Sequence, residues 1–140
     1  MNNKRVRILL ILIVVILLAG AGAFFYLQQN KASGSNGPSI DEVINNSVDI
    51  TDLTTNLATD NFVKMSFKIQ TDSKEAKNEL TKRDFQVKNI MIEELSDTKA
   101  DDLQGKAGKV KLEGTLKERL NKIMQDGKVV QVYITASLLQ

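Results

Sequence analysis

The longest apolar stretch lies near the start of the chain. Residues 8–27 run for twenty positions without a charge, a proline or a strongly polar side chain, and fourteen of them are Ile, Leu, Val or Phe. As a helix, a run of that length spans about 30 Å, the thickness of a hydrocarbon core. Each centrally placed Ile, Leu, Val or Phe favours insertion by about 0.3–0.6 kcal/mol, so the run predicts a transmembrane helix. The competing expectation is a cleaved signal peptide, because Ala19-Gly20-Ala21 and Ala21-Gly22-Ala23 both fit a small-x-small cleavage site. Apolar character resumes through Phe24, Phe25, Tyr26 and Leu27, and the run is longer than a signal core, which favours the anchor. Gly20, Ala21 and Ala23 give that helix a thin end where another membrane helix could approach.

Residues 28–38 lose all apolar periodicity and hold two glycines and the only proline, the composition of a flexible linker. Ordered patterning follows, over residues 39–140. A short helix is expected at 39–46. Residues 61–71 alternate strictly, with Val63, Met65, Phe67 and Ile69 on one face and Lys64, Ser66, Lys68 and Gln70 on the other, as a half-buried strand requires. Residues 48–57 are rich in Thr and β-branched side chains, and 58–60 is short enough to fold them back as an antiparallel hairpin. Asp72 or Ser73 can cap a helix in which Ala76, Leu80, Val87, Met91 and Leu95 recur at intervals of four or seven. Phe85 and Val87 would also suit a strand.

Ser96 or Thr98 is expected to cap a short turn reaching Leu103, and Gly105 and Gly108 to break the chain there. Leu112, Leu116, Leu120, Ile123 and Met124 then mark an amphipathic helix that Gly127 closes. Residues 128–140 alternate again, predicting a third strand with Val130, Val132, Ile134, Ala136 and Leu138 facing inward. The pattern adds up to an α+β chain: an N-terminal transmembrane helix and a small domain with a short, mostly antiparallel sheet packed by amphipathic helices.

Charge turns this pattern into a topology. All seventeen acidic residues lie at or beyond Asp41, whereas Lys4, Arg5 and Arg7 precede the apolar run and only Lys31 follows closely. The positive-inside bias puts residues 1–7 in the cytoplasm and residues 39–140 outside the cell membrane. Beyond the linker, Lys and Arg slightly undercount Asp and Glu, so no basic field draws the domain to nucleic acid. There is no Cys and no His, which excludes a disulfide framework and the usual ligands of zinc, copper and haem.

Candidate chemistry is sparse. Ser96-Asp97-Thr98-Lys99 spells the S-x-x-K of penicillin-interacting serine enzymes, but the accompanying S-D-N and K-T-G elements are missing and a helix cap explains Ser96. The adjacent pairs Glu93-Glu94 and Asp101-Asp102 are expected to be solvated surface, since neighbours on a helix point in different directions. Asp49 and Asp52 lack a calcium-loop pattern, and no glycine-rich phosphate loop follows a strand. Asn45-Asn46-Ser47 fits the short glycosylation sequon. No catalytic, cofactor-binding or metal-ligating residue is therefore nominated, and no cofactor is expected.

Several segments taken together resemble one known family. These are the basic start and single apolar run, Leu53-Thr54-Thr55-Asn56-Leu57, Asp60-Asn61-Phe62-Val63, Lys82-Arg83-Asp84-Phe85-Gln86-Val87, Asp102-Leu103-Gln104-Gly105 with Gly108, Leu116-Lys117, Leu120-Asn121, and Asp126 through Thr135. In them the chain is similar to the flagellar basal body-associated FliL family. Ile134 and Ser137 depart from its usual aromatic and apolar residues. The resemblance implies a stomatin- or prohibitin-like domain that self-associates as a homo-oligomeric ring around the stator proteins of the bacterial flagellar motor. It further implies support for torque in swimming, swarming and chemotaxis, with no enzyme activity. A membrane-anchored envelope sensor or chaperone that binds an exported ligand or protein is the alternative from a different class.

Overall fold

In the computed structural model the described residues are Lys4, Ile8, Ile16, Gly20 and Gly22, and then 37–140 without a gap. The expected cytoplasmic start at 1–7, the expected transmembrane helix at 8–27 and most of the expected linker at 28–38 lie outside them. Among the described residues no helix is long and apolar enough to cross a membrane. The chain divides into two units, Met1–Pro38 and Ser39–Gln140.

The second unit is α+β. Its elements are α1 (Ile40–Asn45), β1 (Ser47–Asn56), β2 (Phe62–Thr71), α2 (Lys74–Lys82), α3 (Asp84–Ser96), a 3-10 turn (Ala100–Leu103), α4 (Gly105–Asn121) and β3 (Val129–Leu139). The three strands form one antiparallel sheet in the order β1-β2-β3. The expected hairpin and the alternation of β2 are both present, with Val63, Met65, Phe67 and Ile69 buried. Ser73 is the N-cap of α2, its Oγ accepting from the Ala76 N–H at 3.1 Å. The core lies between the sheet and α2–α4, with Leu80, Val87, Met91, Leu95, Leu112, Leu116 and Leu120 packed against the inner sheet face.

Each edge strand carries a bulge at the level of Ser66. On β1 the pairing jumps from Ile50↔Phe67 to Leu53↔Met65, and Asp52 adopts φ +54 with its N–H donating to Ser66 Oγ at 3.0 Å. On β3 it jumps from Ser66↔Ala136 to Phe67↔Ile134, leaving Thr135 as the extra residue, and a second bulge falls at Val130. These bulges overturn the expected inner face of β3. Val129 and Val132 are the buried residues, Ile134 packs partly on the core, and Ala136 and Leu138 stand opposite Ser66 and Lys64 on the outer face. A bulge reverses the alternation, and only the partner strand reveals where it falls.

Three helical expectations are also corrected. The stripe from Ala76 to Leu95 belongs to two helices, separated at Arg83 with no glycine or proline to mark the break. All five stripe residues are nonetheless buried, because the seven-residue step from Leu80 to Val87 accommodates the bend. Gly105, at φ +71, does break the chain where α4 begins, but Gly108 lies inside the first turn of that helix, where a Cβ would overlap the Asp102 carbonyl. Gly127 does not close α4, which ends at Asn121. It sits at φ +73 in the turn before β3, where a Cβ would strike the Asp72 carboxylate and the Ala76 methyl.

Candidate interaction surfaces

The S-x-x-K segment is not assembled for catalysis. Ser96 is exposed, its Oγ 3.5 Å from Thr55 Oγ1, and no hydrogen bond links it to Lys99. Nor does Ser96 or Thr98 cap the 3-10 turn, as expected. Thr98 Oγ1 donates to the Glu94 carbonyl at 2.7 Å, and the turn is held from the hairpin loop, where Thr59 Oγ1 accepts from the Ala100 N–H at 3.1 Å. Lys99 is the exposed residue that precedes the turn.

The two glutamates at the end of α3 are a second correction. They converge on one cation of α4: Arg119 Nη2 donates to Glu93 Oε2 at 2.5 Å, and its Nη1 donates to Glu94 Oε2 at 3.2 Å. The fork of the guanidinium lets one residue bridge two carboxylates, which a lysine ammonium would do less well. The Arg119 hydrogen bond, helped by the Asn89 amide, holds the Glu93 carboxyl below its ordinary value of 4.5. Glu93 in turn raises the Arg119 pKa, against the effect of burial. Nothing in the local pattern announces this clamp, because Arg119 and Glu93 are twenty-six positions apart in sequence.

A second carboxylate organises the turn before β3. Glu79 on α2 accepts from the backbone N–H groups of Asp126 at 2.7 Å and Gln125 at 3.0 Å, and from Arg83 Nε at 2.7 Å. The Asp126 N–H is the main reason that its carboxyl lies below 4.5. Asp72 Oδ1 receives the Lys128 N–H at 3.0 Å, so α2 and the residue before its cap grip both sides of Gly127.

The outer sheet face mixes charged and polar side chains. Lys64 pairs with Asp52 at 2.9 Å, Lys68 pairs with Asp49 at 2.7 Å, and Tyr133 Oη donates to Gln70 Oε1 at 3.0 Å. Exposed ion pairs of this kind contribute little to stability, so their effect is to fix the charge pattern of the surface. A small polar cleft of about 140 Å³ opens beside Glu94, Asp97, Asp102 and Lys111. Among the described residues no three acidic side chains are grouped as metal ligands.

Apolar side chains are left open on α1 and α3. On α1, Ile40 is 70% and Ile44 53% exposed, one helical turn apart. On α3, Phe85 is 72% exposed and borders a groove with Gln86, Asn89, Ile90 and Ile123.

Fold and surface together define a small α+β module, helices on one face of an antiparallel sheet, that presents pinned charges and open apolar patches. The family described as flagellar basal body-associated protein FliL matches residues 47–140, the whole span from β1 to the last residue. A flagellar protein FliL from Bacillus subtilis (strain 168) is 44% identical over 117 residues, covering 84% of each chain. The chain belongs to the FliL family and is a flagellar basal body-associated protein.

Proposed function

We propose that this protein is a non-enzymatic scaffold of the flagellar motor, anchored in the cell membrane beside the stator units and self-associating around them. The observation that carries this proposal is the 44% identity to a flagellar protein across 84% of both chains. The apolar run at 8–27 supports a single-pass anchor, and the basic residues ahead of it support a cytoplasmic N-terminus with Ser39–Gln140 outside. On this reading the domain is of the stomatin and prohibitin type, works through surfaces and supports torque in swimming and swarming.

The absence of cysteine makes the test direct. Gln28→Cys places a unique thiol just beyond the apolar run, and thiol-specific crosslinking in motile cells should trap a stator protein. Deletion of the gene should lower torque or stator retention. Unchanged motility with unchanged stator retention would sink the proposal. A crosslink only to an exported protein or an envelope ligand would favour an anchored sensor or chaperone instead.

A further inference from the structure

We propose that two copies of this domain pair through the open end of β3, residues 136–140, laid antiparallel so that one sheet continues into the other. The pairing goes beyond the scaffold reading and does not depend on what the domain assembles around.

Strand β3 lies at the edge of the sheet, and its free side is closed only in part. Asn121 takes both backbone groups of Val129, and Glu113 Oε1 accepts from the Ile134 N–H at 2.9 Å. Beyond the Thr135 bulge the ladder to β2 is regular, and Phe62 and Gln140 exchange both of their backbone hydrogen bonds, at 2.9 and 2.8 Å. Antiparallel bonding alternates along a strand, so Leu138 and Ala136 also face β2, whereas Ser137 and Leu139 point their N–H and C=O groups outward. No described residue meets those groups. An uncovered row of this kind is a template for another strand.

The composition of the strand names the occupant. Residues 129–140 hold no charged side chain, whereas the other edge strand, β1, carries Asp49 and Asp52. Charges on an edge keep copies apart, and β3 has none. Its open end is also self-complementary. With Leu138 on the two-fold axis, Ser137 of each copy pairs with Leu139 of the other, which satisfies every outward group. The two Leu138 side chains, each 52% exposed, then meet on the outer face at close, non-hydrogen-bonded positions. On the inner face Leu139, 40% exposed, reaches over Ser137 of the other copy toward the groove of Val63, Ala100, Leu103 and Lys109.

One occupant thus covers both exposed leucines and the backbone row. A contact between identical patches also stops at two copies. Lys109 is the charged side chain in that groove, and the axis brings two of them to the same face, so the pair should tighten as salt rises. Lys64, opposite Leu138 on the ladder, is paired with Asp52, and Glu113 is held by the Ile134 N–H.

The test uses the full chain in vesicles, which carries no cysteine of its own. Leu138→Cys sets two thiols opposite each other at a Cα spacing of about 4.5 Å, within disulfide reach. Mild oxidation should yield a linked dimer and nothing larger. Tyr133→Cys, on the same face of β3 but across the bulge, should give at most about a tenth as much. Adding Ser137→Pro to Leu138→Cys removes an outward N–H and no bond to β2, and should cut the linked fraction about tenfold. Ala136→Lys, added instead, leaves the backbone intact, sets a charge beside the axis in each copy and should also cut it. Equal linking by Tyr133→Cys and Leu138→Cys would overturn the pairing as random collision. So would a dimer that survives both Ser137→Pro and Ala136→Lys, or one that dissolves in high salt, since either assigns the contact to another surface. Linkage of the Leu138→Cys thiol in motile cells to a different protein alone would give the edge to that partner and overturn the pairing between copies.

Discussion

Asn121 ends α4 and begins β3 with the same amide. Its Oδ1 accepts from the Val129 N–H at 2.8 Å, and its Nδ2 donates to the Val129 carbonyl at 3.0 Å, as a neighbouring strand would. The side chain thereby satisfies both backbone groups of a buried residue in an edge strand. Asn121→Ala leaves both unpaired and should cost about 1–3 kcal/mol, read from the midpoint of urea unfolding. Asn121→Asp keeps the acceptor and should lose less at the N–H, but it cannot donate to the carbonyl. An unchanged midpoint for the alanine variant would show that water takes over both bonds.

The glycines of α4 should respond in opposite directions. Gly114 has nothing within 4 Å of an added Cβ and no unusual backbone, so Gly114→Ala should stabilise the protein by about 0.8–1 kcal/mol through helix propensity. Gly108 lies against the Asp102 carbonyl, and Gly108→Ala must push that backbone away, which should cost about 1–3 kcal/mol. The sign difference between two Gly→Ala changes in one helix, measured by thermal melting, separates packing from propensity.

Much of this fold is visible in residue periodicity. The β2 alternation, the Ser73 cap, the five-residue stripe from Ala76 to Leu95 and the Leu112, Leu116, Leu120 series all mark residues that build or border the core. What periodicity misses are features set by a distant partner. Thr135 is an extra residue only relative to Ser66 and Phe67 across the ladder, and Gly108 reads as a breaker until the Asp102 carbonyl is beside it. The Glu93, Glu94 and Arg119 clamp is of the same kind: adjacent carboxylates diverge on an isolated helix, and α4 supplies the cation that gathers them. The exposed patches at Ile40, Ile44 and Phe85 escape notice for a different reason. A hydrophobic residue in a helical pattern reads as core until the fold leaves it outside.

Acid should loosen the turn before β3. The folded-state pKa values of Glu79 and Glu93 lie below the ordinary 4.5, so both carboxylates contribute stability that is present above that value. The contribution is lost as pH falls through their lowered values. Melting temperature should therefore be nearly flat from neutral pH to about 5 and fall steeply below. Glu79→Gln keeps the shape but weakens the acceptor for Gln125 and Asp126, and should make the acid limb shallower while lowering the plateau. Amide exchange at Asp126 should rise in that variant even at neutral pH. Identical acid limbs in the two proteins would remove Glu79 as the source.

Separating the two units should separate folding from assembly. Every buried residue of the hydrophobic core falls between Ile50 and Val132, so Ser39–Gln140 holds its own core and should unfold cooperatively when expressed without residues 1–38. Association should behave otherwise. Tethering copies to a bilayer raises their effective concentration, and contacts too weak to register in solution then become populated. The isolated unit should sediment as a monomer at micromolar concentration, whereas the full chain in vesicles at the same total concentration should crosslink into multimers. A tight oligomer from the isolated unit would show that its surfaces suffice and that confinement adds nothing. Failure of the unit to fold would mean that residues before Ser39 contribute to the core, against the division of the chain described above.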